Sequence, residues 1–333
     1  MRQVMPLAVA VGLVATMTAC GGGSDSTPTS SAAGNGSAAA KNYKVTLIQG
    51  IANDPFYVSM ACGAQEEATK LGVTLNVQGA NAWDPNVQTP LVNSVTANKP
   101  DALLIAPNDS KAMINPLKRA GDAGIKLVTV DTSIEDDSIL TSTVSSDNLE
   151  GGKEAARTLA KLIGEKGSVL LVGGQPGVST VAARQEGFET ELKNYPNITY
   201  IGNVFAGTGG VARNAQLVGA QLAGNPDLAG VFALNTDTSQ GAATAIRAAK
   251  AEAKVKMVGF DAGPAQIEQL KKGGVQALIA QKPAEIGAQG VAQAVAALKG
   301  ESVKKQVGTG AVSITAENVD DPAVAPFVYK SNC

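Results

Sequence analysis

Asp101-Ala102-Leu103-Leu104-Ile105-Ala106-Pro107-Asn108-Asp109 reads as a strand and an asparagine-bearing loop; after a helical stretch, Lys126-Leu127-Val128-Thr129-Val130-Asp131 reads as a second strand ending on an aspartate. The unit returns later. Leu228-Ala229-Gly230-Val231-Phe232-Ala233-Leu234-Asn235 is followed by a helical stretch and then Lys256-Met257-Val258-Gly259-Phe260-Asp261. The asparagine-to-aspartate intervals are 23 and 26 residues. Short apolar runs separated by helical stretches mark strands of parallel sheets covered on both faces. Two such units imply two similar α/β lobes, each with an aspartate at the carboxyl end of a strand, where open α/β sheets bind ligands. Any α/β chain yields some matches of this kind, and the repeat alone does not decide between the two readings.

The same rhythm extends outward. Residues 45–48 form a strand, residues 50–55 a turn, and Tyr57, Met60, Ala61, Ala64, Ala68 and Leu71 share one helix face at 3.6-residue spacing. Gly72 stops that helix and residues 73–77 return as a strand. Further strands are expected at 102–106, 127–130, 169–172, 231–234, 256–260 and 277–280.

The N-terminus reads as a targeting segment. Arg2 precedes an apolar run over 4–17, too short to cross a bilayer, and Met17-Thr18-Ala19-Cys20 resembles a lipobox with Met where Leu is usual. A lipoprotein signal peptide is expected over 1–19 with Cys20 acylated, then a flexible Gly/Ser/Thr/Ala-rich tether over 20–42. That leaves Cys62 and Cys333, and one cysteine pair in an exported protein invites a disulfide.

Composition excludes more than it suggests. The chain has no histidine, which removes Ser–His–Asp triads, Cys–His dyads and histidine metal sites. A net charge of −2 gives no reason to expect nucleic acid. Gly173-Gly174-Gln175-Pro176-Gly177 follows a strand but lacks the spacing of a phosphate loop. No cofactor is expected.

On Asn53-Asp54-Pro55-Phe56-Tyr57, Val130-Asp131-Thr132, Ser146-Asp147-Asn148-Leu149-Glu150-Gly151-Gly152, Ala183-Arg184-Gln185-Glu186-Gly187-Phe188, Val258-Gly259-Phe260-Asp261 and Ile279-Ala280-Gln281, the chain resembles the type I periplasmic binding proteins. The likeness is to the ribose-type sugar-binding family of ABC importers, and it runs from about residue 43 to 316. It implies an α/β fold of two similar doubly wound parallel-sheet lobes joined by a three-crossing hinge. Residues 43–146 plus 282–310 would form the N-terminal lobe, and 147–281 plus 311–333 the C-terminal lobe and tail. The crossings fall near Ser146/Asp147, Gln281/Lys282 and Gly310/Ala311.

Carried over residue by residue, the family's ligand positions fall on Asp54, Phe56, Tyr57, Asp131, Thr132, Arg184, Asn235, Asp261 and Gln281, with Asn53 as a neighbour. Planar polar side chains fork around adjacent hydroxyls, and aromatic faces meet the carbons. Each has a plainer reading: helix caps for Asp131 and Asp261, a solvated helix residue for Arg184, turn chemistry for Asn235, core for Phe56 and Tyr57, hinge for Gln281. Trp83, the sole tryptophan, is either a stacking face or a lobe-packing residue.

Three departures stand out. Thr132 occupies the position of a second arginine, Asp54 that of an asparagine, and 207–210 lack an aromatic. Three carboxylates against one arginine argue against an anionic ligand. Beyond the resemblance, about fifteen residues ending at Cys333 suffice to cross back to Cys62, which lies off the apolar stripe of its helix.

The expected function is capture of a small neutral sugar or polyol by a monomeric lipoprotein on the outer face of the membrane, which delivers it to an ABC permease. A subunit presenting ligand to a chemoreceptor or sensor kinase remains open, and a carboxylate-pair glycosidase less so. A transcriptional regulator of this fold would need a DNA-binding segment where the signal and tether stand. With no histidine, affinity is expected to be flat between about pH 6 and 8.

Overall fold

The computed structural model describes residues 42–207 and 210–333; the signal segment, Cys20 and all of the tether but Asn42 lie outside the described residues. Among the described residues no helix is long and apolar enough to cross a membrane.

Two six-stranded sheets organise the chain. The first contains β1 (Lys44–Gln49), β2 (Thr74–Gly79), β3 (Ala102–Ile105), β4 (Lys126–Val130), β5 (Ser142–Ser146) and β11 (Gln306–Thr309), in the order β11-β5-β4-β3-β1-β2 and parallel throughout. The second contains β6 (Gly167–Gly173), β7 (Ile198–Phe205), β8 (Leu228–Ala233), β9 (Lys256–Phe260), β10 (Ala277–Ala280) and β12 (Val312–Thr315), in the order β12-β10-β9-β8-β6-β7. Only the β10–β12 pair there is antiparallel. The two orders match position for position, so β3 and β4 occupy the places that β8 and β9 occupy in the other sheet. The chain passes between the sheets three times: between β5 and β6, between β10 and β11, and across Gly310-Ala311.

Strands β3, β4, β8, β9 and β10 are almost wholly buried, as continuous apolar runs require. The strands without such a run escaped the sequence reading. β5 is Ser-Thr-Val-Ser-Ser, β7 is a half-exposed edge, and β11 and β12 are four residues each.

Helix α1 (Pro55–Leu71) starts on the side chain of Asp54, whose Oδ1 accepts from the Phe56 N–H at 2.8 Å, and ends on Gly72 at φ 68°. It packs on α9 (Pro283–Lys299) so closely that a Cβ on Gly63 would lie 2.0 Å from the Ala284 carbonyl oxygen, and one on Gly287 2.0 Å from that of Met60. The other lobe repeats this device between α4 (Asn148–Leu162) and α5 (Ser179–Leu192), with Gly152 against the Arg184 carbonyl at 2.1 Å and Gly187 against that of Leu149 at 2.0 Å. The glycines beside Arg184 are therefore packing residues that fix its helix against α4.

Candidate ligand-binding cleft

The strand pairs that made the internal repeat end in the same backbone feature. Asp131 follows β4 at φ 65° and donates its N–H to Val144 O in the neighbouring β5 at 2.8 Å; Asp261 follows β9 at φ 76° and donates to Ile279 O in β10 at 2.9 Å. Left-handed backbone at a non-glycine residue is strained and persists where the surroundings over-determine it. Here it turns both carboxylates into the space between the lobes, a cavity of about 540 Å³, within the range of small-ligand sites.

Asp54, Phe56, Tyr57, Asp131, Arg184, Asn235, Asp261 and Gln281 all line this cavity. Two expected residues do not. Asn53 is solvent-exposed at φ 65°, part of the turn from β1 into α1. Thr132 is 1% exposed and donates its hydroxyl to Pro107 O at 2.8 Å, so it braces the loop behind Asp131. Trp83 lines the cavity and also packs against apolar cores of both lobes, so the two readings of it are not exclusive. Near the region expected to lack an aromatic, Phe205 presents a 39% exposed side chain to the cavity from the end of β7, ahead of 207–210.

Each carboxylate is held by protein donors on one side. Tyr57 Oη donates to Asp131 Oδ2 at 2.6 Å. Gln281 Nε2 and Tyr329 Oη both donate to Asp261 Oδ1, at 2.8 and 3.0 Å, and Thr236 reaches Oδ2 only at 3.4 Å. Arg184 is 4% exposed, lies 3.7 Å over the Phe260 ring, and commits Nε to Asn148 Oδ1 at 2.8 Å and Nη1 to Leu234 O at 2.9 Å. Its remaining nitrogen, Nη2, is the one left for a ligand. Asn235 caps α7 (Thr236–Ala248) through Oδ1, which leaves its amide nitrogen for the same purpose.

Asn214 and Asp237 also line the cavity and were not read from the sequence. Asn214 lies on a helix with no motif around it, and Asp237 lies in the first turn of α7, two residues after the Asn235 cap that alone drew notice. Trp83 Nε1, Asn214 Oδ1 and Gln281 Oε1 are buried in this lining without a hydrogen-bond partner among the described residues. Hydroxyls, each donor and acceptor, match such a mixed set.

Among the described residues the lining is acidic: Asp54, Asp84, Asp131, Asp237 and Asp261 against Arg184 alone. Burial, and next the charge of Asp261, push the Asp54 carboxyl up to about 7. Burial raises Asp131 to about 6 although Arg184 and the Tyr57 hydroxyl pull it down. Two carboxyls raised toward this range stand against the expectation of pH-flat affinity, which considered only groups with ordinary pKa values. A carboxyl raised in the folded state stabilises fully below its unfolded value near 4, and that contribution is lost as pH rises through its folded value. Ligand-free protein should therefore lose stability from about pH 4 to about pH 6 for Asp131 and about pH 7 for Asp54, at a slope approaching about 1.4 kcal/mol per pH unit per carboxyl near pH 5 and levelling off by pH 8. Asp54→Asn, which keeps the cap acceptor, should flatten the slope and raise the melting temperature at pH 8. Melting curves across this range check it, and an unchanged slope would show that Asp54 is ionised throughout.

The lobes meet across the mouth. The Ser110 N–H donates to Gly177 O at 2.8 Å and the Ser133 N–H to Ser179 Oγ at 2.9 Å, so the Gly173–Gly177 loop is part of the closing rim.

Two matching α/β lobes closed over a polar, aromatic-flanked cavity define a bilobal solute-binding protein. The family described as periplasmic binding protein domain matches residues 45–302. The ribose import binding protein of Salmonella typhimurium is 35% identical over 263 residues, 78% of this chain and 86% of that one. An ABC transporter solute-binding protein from Agrobacterium vitis, bound with alpha-D-tagatopyranose, superposes with a TM-score of 0.85 at 41% identity, covering 87% of this chain and all of that one. A carbohydrate transporter solute-binding protein from Agrobacterium radiobacter, in complex with D-arabinose, gives 0.82 at 29% identity over 87% of this chain and 99% of its own. The chain belongs to the type I periplasmic binding proteins, in the ribose-type sugar-binding family of ABC importers. Its relatives are transport receptors, and it is a binding protein, not an enzyme.

Proposed function

We propose that this chain is the monomeric, lipid-anchored receptor of a sugar importer: it captures one neutral pentose, hexose or related polyol between its lobes and presents the closed form to an ABC permease. Acylation of Cys20 and the tether over 20–42 would hold the cleft at the outer face of the membrane. The observation that carries the ligand class is the lining itself, with two paired strand-end aspartates, one buried arginine, and aromatic rings from Phe56, Tyr57, Trp83 and Phe205. A neutral polyol satisfies carboxylates and amides through its hydroxyls without adding charge. An anionic sugar would place a further negative charge among five aspartates.

Trp83, the only tryptophan, reports on occupancy. Purified protein titrated with D-tagatose, D-ribose and D-arabinose should change tryptophan fluorescence and melt higher with at least one of them. D-Glucuronate should do neither. Binding of glucuronate in preference to every neutral sugar would overturn the ligand class.

A further inference from the structure

The last fifteen residues do more than end the chain. After β12 the tail runs along the second lobe and inserts Tyr329, 3% exposed, behind the cleft. The Tyr329 N–H donates to Ala262 O at 3.0 Å, directly after Asp261. Its hydroxyl donates to Asp261 Oδ1 at 3.0 Å and accepts from the Gln281 N–H at 3.2 Å. Its ring meets Phe56 edge-on at 5.6 Å between centroids. One residue later the tail has reached the other lobe, with the Lys330 N–H on Ser59 Oγ of α1 at 2.7 Å. Cys333 then bonds Cys62 of the same helix, with an S–S distance of 2.02 Å across 271 residues of sequence.

We propose that Tyr329 is a positioning residue of the sugar site, holding Asp261 for the ligand, and that the Cys62–Cys333 bond keeps it there, so that reducing this bond weakens sugar binding. The proposal rests on the sugar-binding reading above. Two donors on Oδ1, from Tyr329 and Gln281, fix the carboxylate, and Oδ2 keeps only the longer Thr236 contact at 3.4 Å, which leaves it capacity to accept from a ligand in the cavity that Asp261 lines. Without the tyrosine hydroxyl Oδ1 keeps only the Gln281 bond, with Thr236 reaching Oδ2 at 3.4 Å, so the carboxylate is held less firmly and a buried acceptor loses a charge-assisted hydrogen bond. The tail has no helix or strand of its own after β12 beyond a single 3-10 turn at Ala325–Phe327. Its covalent end therefore limits fraying. Tyr329 lies outside the cavity lining, so it acts through Asp261 and does not touch the ligand itself.

The test uses the full chain, oxidised, with D-tagatose as the probe and D-ribose and D-arabinose beside it. Tyr329→Phe keeps the ring and should weaken binding about tenfold, and the Cys62→Ser/Cys333→Ser protein should weaken it several-fold. In an Asp261→Asn background, titrated to about 100 mM sugar, Tyr329→Phe should change affinity less than about twofold. Equal losses in both backgrounds would make Tyr329 a general packing residue and overturn the proposal, as would wild-type affinity in Tyr329→Phe. In sugar-free protein, hydrogen exchange of the Gln281 amide should quicken in Tyr329→Phe and in the double serine variant, while β3 and β4 keep their protection. Unchanged exchange in the serine variant would show that the disulfide does not hold the tyrosine. If wild type binds none of the sugars, the functional reading fails, and the exchange arm still decides the positioning of Tyr329.

Discussion

Arg184→Ala is expected to weaken sugar binding by roughly 30- to 1,000-fold, the equivalent of about 2–4 kcal/mol of charge-assisted hydrogen bonding. The size of the effect follows from how little else does its work. Arg184 is the only cation in the cavity lining among the described residues, and its fork is pre-aimed by Asn148, the Leu234 carbonyl and the Phe260 face. It is also the charge that opposes burial at Asp131. Without it the Asp131 carboxyl rises further, becomes neutral over more of the pH range, and turns from an acceptor of ligand hydroxyls into a competing donor. Arg184→Lys keeps a charge and loses the fork, so it should recover only part of the affinity. Calorimetry or Trp83 fluorescence with the sugar that wild type binds reads the outcome, and circular dichroism separates lost binding from lost fold. Wild-type affinity in a folded Arg184→Ala protein would remove Arg184 from the site.

Breaking the Cys62–Cys333 bond should destabilise the folded protein by about 5 kcal/mol, and lower its melting temperature by on the order of 10 °C. The chain-entropy argument makes this large because the bond closes 271 residues of sequence, nearly the whole folded part, and so restricts the unfolded chain strongly. The non-covalent contacts of the tail end, Lys330 on Ser59 and the buried Tyr329 with its hydrogen bonds and its Phe56 contact, act in the folded state, whereas the bond acts chiefly on the unfolded chain. Melting the oxidised protein and the Cys62→Ser/Cys333→Ser protein at one pH gives the difference. Intact-mass analysis with alkylation, before and after reductant, verifies the bond in the starting material. Equal melting temperatures would mean that the tail stays docked without the bond and that the unfolded chain gains little freedom.

The sequence by itself determined the lobes. Continuous apolar runs such as 102–105 and 256–260 leave a chain no option but strands buried on both faces, and the helical stretches between them force parallel pairing. It also determined the two strand-end aspartates, since the repeat placed Asp131 and Asp261 at equivalent carboxyl ends. What it did not determine was which of the neighbouring polar residues turn inward. Asn108 and Asn235 are equivalent in the repeat, yet Asn108 is wholly buried with its amide on Ala82 O and only Asn235 lines the cavity. Asn53 and Thr132 sit next to lining residues and face away, because one residue of strained or turning backbone redirects a side chain and no sequence spacing records that rotation.

The Cys62–Cys333 pairing was legible in the sequence, but only the tertiary structure decided the electrostatics and the place of Tyr329. The Asp54 carboxyl is pushed up to about 7 by burial between the lobes and next by Asp261, some two hundred residues away in sequence. Tyr329 reads in the sequence as an aromatic in an irregular tail. It becomes part of the site only because the tail after β12 returns along the second lobe to the end of β9, where its hydroxyl donor meets a buried carboxylate. Local patterns fix which elements form. Long-range closure fixes which polar groups lose their water, and ligand recognition depends on the second.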